Sequence, residues 1–272
     1  MKSLATNNQR PAKQPGAKFT RRSFVKNGLG LMAAPLLWHC NKFIEGAEES
    51  NLGDPRLTAR PGAPTETPES GLNELGLSSG RDGLLYVPAS YSPNTPPPLF
   101  IGLHGAGGGA SNWASYQARA EERGFVFLAP NSRASTWDIT RGAFGPDVKF
   151  IDDALKHVFN RCNIDPKKIA LGGFSDGASY ALSLGLSNGD LFSHLIAYSP
   201  GFFQTPEFVG TPLVYVSHGT GDNILPVESS RDTIVPTLNS NDYDVTYNEF
   251  EGGHEVPAEI SEEALDWFFE QE

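Results

Sequence analysis

The sequence predicts an α/β fold, a mostly parallel central sheet with helices on both faces. Three observations predict it. Short apolar runs alternate with helical patterns along most of the chain, the order expected of a parallel sheet covered on both sides. Glycine and proline, 29 and 21 of 272 residues, punctuate these runs and mark tight connections. There is no internal repeat, and no insertion is long enough to form a large lid.

The first 40 residues read as an address. They hold seven of the 21 Lys and Arg residues and no Asp or Glu. Arg21 and Arg22 precede Phe24 and Lys26, and a mostly apolar run follows from Asn27 to Trp38. That run is too short to span about 30 Å of hydrocarbon as a helix. A basic region before a short apolar one is the pattern of a signal peptide. The arginine pair resembles a twin-arginine signal, which implies contact with an export machinery and passage across a bacterial inner membrane, to the periplasm or beyond. Leu37 and Cys40 resemble the ends of a lipoprotein box, but Trp38 and His39 depart from the small residues expected between them. Cys40 is therefore either a lipid anchor or a free thiol in a discarded peptide. Residues 41–78, rich in Pro, Gly, Thr and Glu, read as a flexible tether that buries too little apolar surface to fold. The folded domain is expected over residues 79–272.

Within that body the elements follow in order. Strands are expected at Gly83–Pro88, Pro98–Gly105 and Phe125–Pro130, with a helix at Asn112–Gly124 that ends on its glycine. Val148, Ile151, Leu155, Val158 and Phe159 recur at helical spacing and form one face. "IALGGF" is a strand and "DGASYALSLGLS" its following helix. "LIAYSP" and "PLVYVSHG" are two more strands. "PVESSRDTIVPTLN" is a helix with Pro226 at its start, "DVTYNEFEG" a strand, and "PAEISEEALDWFFEQ" the closing helix.

The chemistry concentrates at Gly173-Phe174-Ser175-Asp176-Gly177. This G-x-S-x-G pattern falls between a strand and a helix, where a sharp turn holds a strained Ser above the sheet edge. A Ser hydroxyl needs a base, and the base needs an orienting carboxylate. Asp222 and His254 follow in that order, each just past the C-terminal end of a strand, the edge where open parallel sheets bind ligands. His218 is a rival base, but it lies only four residues before Asp222 and reads as structural. Asp242 and Asp244 flank the start of a strand, at the far edge. An oxyanion needs two backbone N–H donors. Asp176, directly after Ser175, supplies one, and Ala106 in the loop "LHGAGGGAS" the other. That loop lacks the Lys-Ser/Thr of a phosphate-binding loop.

Charge and cysteine content narrow the class. Beyond residue 40 the chain sets 32 acidic against fourteen basic side chains, which disfavours a nucleic-acid partner. Two cysteines provide neither a disulfide framework nor a thiolate metal cage.

"LHGAGGGASNW", "NIDPKKIALGGFSDGAS", "HGTGDNILPVESS" and "EGGHEVP" together resemble the phospholipase/carboxylesterase branch of the α/β-hydrolases. They are also similar to feruloyl-esterase and polyhydroxybutyrate-depolymerase-like esterases. The resemblance runs from about Gly83 to Glu270. It implies the α/β-hydrolase fold, with Ser175 as nucleophile, Asp222 as acid, His254 as base and main-chain donors at Ala106 and Asp176. It implies hydrolysis of small-molecule or polymeric carboxylic esters through an acyl-enzyme, with no cofactor and no metal. Asp176 is a departure, since members often carry Gln, His or Ala there. Its carboxylate would disfavour anionic substrates if it faced the pocket. Trp137, Asp138, Phe144, Phe202 and Phe203 are candidates to line that pocket or to pack around the loops. A thioesterase or peptidase on the same triad, or a non-catalytic cell-envelope binding protein, are the alternative readings.

Overall fold

The structure, a computed structural model, describes residues 52–271. The export signal, Cys40 and the first part of the expected tether lie outside the described residues.

Eight strands form one sheet in the order β1-β2-β4-β3-β5-β6-β7-β8. They are β1 (Gly71–Glu74), β2 (Gly83–Val87), β3 (Leu99–Leu103), β4 (Val126–Pro130), β5 (Ile169–Phe174), β6 (His194–Tyr198), β7 (Leu213–Gly219) and β8 (Val245–Phe250). β1 pairs antiparallel with β2, and β2 antiparallel with β4. From β4 across to β8 every pairing is parallel. The helices are α1 (Ser115–Arg123), α2 (Pro146–Arg161), α3 (Asp176–Leu186), α4 (Val235–Ser240) and α5 (Ala258–Glu270). A π-helical turn, Ser229–Ile234, leads into α4.

The two-residue period of the strands sorts the core into two layers. Leu99, Ile101 and Leu103 of β3, with Val126 and Leu128 of β4, pack on the side of α2, α3 and α4. Phe100, Phe127, Tyr198 and Tyr215 face the opposite way, toward α1 and α5. One layer is therefore mostly aliphatic, and the other is rich in aromatic rings. α1 and α5 are matched by charge as well as by packing. Arg119 and Arg123, one turn apart, pair with Glu262 and Asp266, also one turn apart.

The folded unit begins earlier than composition suggested. Residues 52–78 are not a free tether. Leu57, Ala59 and Leu75 are buried in the aliphatic layer, and Gly71–Glu74 add strand β1 to the sheet edge. The segment has few apolar side chains of its own, so composition undersold it. It is held by polar groups of the domain. The Thr58 and Ala59 N–H groups donate to Asp152 Oδ1, both at 2.7 Å, and the Thr58 hydroxyl to Asp152 Oδ2 at 2.6 Å. Asn188 accepts from the Leu57 N–H at 2.9 Å and donates to the Pro55 carbonyl at 2.8 Å. Arg56 and Arg60 converge on Asp190, and Glu66 meets Arg161. Burial works against the charge of Asp152, but Lys156 and the Thr58 and Ala59 donors outweigh it and hold the carboxyl below its usual range.

Asp152→Ala strips these donors of their shared acceptor. It is expected to cost about 2–3 kcal/mol, read as a lower melting temperature together with faster tryptic cleavage at Arg56. An unchanged cleavage rate would show that Asp152 does not hold the segment.

Candidate active site

β5 ends at Phe174 and α3 starts at Asp176, which leaves a single residue to turn the chain. That residue is Ser175, with φ 59° and ψ −123°. A positive φ in a residue with a side chain is strained, on the order of 1–3 kcal/mol. The neighbours make the strain unavoidable. A Cβ on Gly173 would collide with the Gly177 carbonyl, and one on Gly177 with the Leu103 carbonyl. The turn is tied down by Ser175 N–H donating to Tyr198 O at 2.9 Å. Ser175 O in turn accepts from the Ala178 and Ser179 N–H groups. The hydroxyl is thus presented at the positive end of α3.

The structure brings Asp222 and His254 to this Ser. His254 Nε2 lies 2.8 Å from Ser175 Oγ, and His254 Nδ1 lies 2.6 Å from Asp222 Oδ2. An ionised carboxylate only accepts, so Nδ1 carries the proton and Nε2 is free to accept from the Ser hydroxyl. Asp222 Oδ1 accepts from the Ile224 and Leu225 N–H groups, both at 2.9 Å. Burial alone would raise the Asp222 pKa, but the His254 bond and these two N–H donors bring it below the usual range. Phe174 packs against the His254 ring at 4.8 Å.

His218 occupies a supporting position. Fully buried, it faces Ser230 Oγ through Nδ1 at 2.8 Å and donates from Nε2 to the Leu225 carbonyl at 2.7 Å. Because that carbonyl only accepts, Nε2 holds the proton and Nδ1 accepts from Ser230. The same Nε2 passes 3.3 Å from Asp222 Oδ2, so His218 braces the acid loop. Asp242 and Asp244 lie at the N-terminal end of β8, as expected.

The glycine loop after β3 sits opposite. His104, which the sequence singled out only as the start of this loop, is its anchor. Its Nδ1 donates to the Gly105 carbonyl at 2.8 Å, and its Nε2 accepts from Ser132 N–H at 3.1 Å and from Arg81 at 3.2 Å. Burial, with the Arg81 charge beside it, holds the ring neutral by lowering its pKa, although Gly105 and Asp176 pull the other way. Arg81 also donates to Gly108 O at 2.8 Å, and so grips the loop twice. No sequence motif marks Arg81. Ala106 lines the cleft beside His254, and Asp176 is the first residue of α3. The Asp176 carboxylate accepts from the Thr136 hydroxyl, and it is not among the groups lining the cleft.

The cleft, about 570 Å³, opens beside His254 and runs between α1 and α5. Its walls include Trp113, Tyr116, Phe174, Tyr198 and Val256. None of Trp137, Asp138, Phe144, Phe202 and Phe203 lines it. Trp137 is fully buried, donates to His104 O at 2.8 Å and stacks on Tyr180, which Phe144 also packs against. Phe202 and Phe203 pack against the aliphatic layer. Asp138 and Asp147 clamp the loop between them, the N–H of each donating to the carboxylate of the other at 2.7 and 2.8 Å. Their sequence spacing of nine signals nothing until the loop closes. Among the described residues no cluster of His, Cys, Asp and Glu could hold a metal ion.

A mostly parallel sheet with helices on both faces, a strained Ser at a strand-to-helix turn and no inserted lid among the described residues give this chain the α/β-hydrolase fold. The phospholipase/carboxylesterase family model matches residues 147–268. Feruloyl esterase C of Emericella nidulans is 30% identical over 182 residues, 63% of this chain and 64% of that protein. Probable feruloyl esterase C of Aspergillus clavatus is 30% identical over 158 residues, 54% of this chain and 57% of that one. The chain thus spans less than two thirds of these relatives. The crystal structure of esterase PE8 shares the fold, with TM-score 0.58 and 22% identity over 69% of this chain and 97% of that one.

The clamp beside the glycine loop makes stability depend on pH. Burial, with the Asp138 charge adding to it, raises Asp147 to about 6, while the Arg133 N–H works the other way. A carboxyl whose pKa is higher folded than unfolded stabilises the fold most below its unfolded value, near 3.8. That contribution is lost as pH rises through about 6. Stability is expected to fall between pH 4 and 7 by on the order of 2–3 kcal/mol from this group. Asp147→Asn should flatten that slope in urea titrations across the range, and an unchanged slope would reassign it.

Proposed function

We propose that this chain is a serine esterase that hydrolyses carboxylic esters through an acyl-enzyme. The observation that carries the reading is the continuous line of hydrogen bonds from Asp222 through His254 to Ser175, at 2.6 and 2.8 Å. Ser175 Oγ attacks the ester carbonyl while His254 Nε2 takes its proton. Asp222 stays ionised and stabilises the imidazolium that forms. The Ala106 and Asp176 N–H groups bind the oxyanion of the tetrahedral intermediate. As the intermediate collapses, the alcohol leaves with the proton from His254. Water then attacks the acyl-Ser175 ester with His254 again as base, and the carboxylic acid departs. The feruloyl esterases among the relatives direct the substrate search toward esters of aromatic acids. The Arg21–Arg22 segment and the apolar run after it serve as the export signal.

Hydrolysis of p-nitrophenyl acetate is expected for the full chain. Ser175→Ala or His254→Ala should lower kcat/KM by on the order of 10³-fold or more. Equal rates for wild type and Ser175→Ala would sink the esterase reading, and a retained rate in His254→Ala would remove His254 as base. Replacing Arg21 and Arg22 together by Lys should keep the activity inside the cytoplasm of a bacterial host. Undiminished periplasmic activity would overturn the export reading.

A further inference from the structure

Three consecutive residues outside the cleft hold the parts that aim the two N–H groups proposed for the oxyanion, Ala106 and Asp176. Ser135 O accepts the Gly107 N–H at 2.7 Å, the Thr136 hydroxyl donates to the Asp176 carboxylate, and Trp137 Nε1 donates to His104 O at 2.8 Å. None of the three lines the cleft. The segment that carries them is cinched at both ends by one side chain. Asp147 accepts the Arg133 N–H through Oδ1 and the Asp138 N–H through Oδ2, the latter at 2.7 Å. Residues 134–137 are therefore a closed strap rather than a free loop.

A trans peptide points its N–H away from its own carbonyl. The carbonyl opposite the Ala106 N–H is Gly105 O, which is held by the Gly108 N–H at 3.1 Å and by His104 Nδ1 at 2.8 Å. The peptide planes on either side of that one are the two that the strap grips, through His104 O and the Gly107 N–H. The Ala106 N–H itself meets no backbone acceptor among the described residues. The carbonyl opposite the Asp176 N–H is Ser175 O, which accepts from Ala178 and Ser179 and so turns that N–H out of the start of α3. As the first residue of the helix, Asp176 has no intrahelical acceptor. Both donors are thus aimed, and what remains to be set is the distance between the loop and the helix. The strap spans that gap, from His104 and Gly107 on one side to the Asp176 side chain on the other.

We propose that Ser135, Thr136 and Trp137 act as a strap that sets the separation of the Ala106 and Asp176 N–H groups, with Thr136 as the positioning residue. This role rests on the esterase reading, since the two groups matter only where an oxyanion forms. The Asp176 carboxylate then holds its own main chain in place instead of meeting the substrate. Thr136 and Asp176 are both half-buried, and a hydroxyl on a carboxylate is a charge-assisted bond, stronger than a neutral pair. Thr136 is also the member that can be changed by itself. Ser135 acts through its main chain and Trp137 is fully buried, whereas valine replaces the Thr136 hydroxyl at nearly equal volume.

Steady-state hydrolysis of p-nitrophenyl acetate by the full chain as wild type, Thr136→Val and Thr136→Ser tests the strap. Acylation and deacylation both pass through an oxyanion, so a misplaced donor slows both and lowers kcat with little change in KM. Thr136→Val is expected to lower kcat by about tenfold to thirtyfold. That is short of the loss of about 10²–10³-fold on removing a donor outright, because the N–H is moved rather than lost. KM should stay within about twofold, and Thr136→Ser should recover kcat to within about threefold of wild type. A phenyl trifluoromethyl ketone supplies a second readout. Its carbonyl carbon takes Ser175 Oγ, the Ser proton passes to His254, and the carbonyl oxygen becomes the bound oxyanion. Its inhibition constant should rise in Thr136→Val by the same factor, which a mere loss of folded enzyme would not produce. Asp176→Ala removes the acceptor from the other side and serves where the valine variant fails to fold; it should show the same fall in kcat and the same rise in inhibition constant. Unchanged kcat in folded Thr136→Val, a fall without a rise in inhibition constant, or no recovery in Thr136→Ser would overturn the strap. An inactive wild type removes the esterase reading and the strap with it, whereas an active wild type with an unaffected Thr136→Val removes the strap alone.

Discussion

The architecture depends on one crowded crossing, where the β5–α3 turn passes the end of β3. Ser175 adopts a backbone conformation that a side chain resists, and it stays there because Gly173, Gly177 and Leu103 approach without room for a Cβ. Two parallel strands and a helix are locked into one spacing by that contact. The same spacing sets the glycine loop after β3 facing the start of α3. A hydroxyl, a helix N-terminus and a backbone loop thus share one small volume. The strain is held by ordinary packing, the buried β3 and the buried Ile169 to Gly173 of β5 on one side and α3, buried from Gly177 to Leu186, on the other.

Around that crossing, buried polar side chains set the loops that the sheet leaves undetermined. His104 and Arg81 shape the glycine loop. His218 and Ser230 shape the turn that bears Asp222. Asp138 and Asp147 close the loop whose Trp137 reaches back to the His104 carbonyl. In each case a polar group withdrawn from water finds a hydrogen-bond partner within or across the loops, which leaves the loop one satisfied conformation. This is why so open an edge of the sheet carries precise geometry without a lid among the described residues.

The division of the core into an aliphatic and an aromatic layer has a functional side. Strand alternation sends Phe100, Phe127, Tyr198 and Tyr215 to the α1 and α5 face. Where those helices part near His254, the aromatic layer becomes the wall of a cleft. Trp113, Tyr116 and Tyr198 belong to both the core layer and the cleft wall, so the shape of the cleft follows from the packing of the domain.

The strands and helices of the body were legible because their apolar periodicity is local, and parallel strands buried on both faces read as unbroken apolar runs. The order Ser175, Asp222, His254 was legible because each residue stands just past a strand, among turn residues. The packing of residues 52–78 was not legible, since their partners, Asp152, Asn188 and Asp190, lie far along the chain and composition records only what a segment brings itself. His104 and Arg81 were silent for the same reason, as was the meeting of Thr136 with Asp176. By itself, then, the sequence determined the alternation of elements and the sites of sharp turning, which short-range sterics and hydrophobic period dictate. Only the tertiary structure decided which polar groups meet, where the Asp176 carboxylate points and what lines the cleft. Those depend on contacts between residues tens of positions apart, which no local pattern encodes.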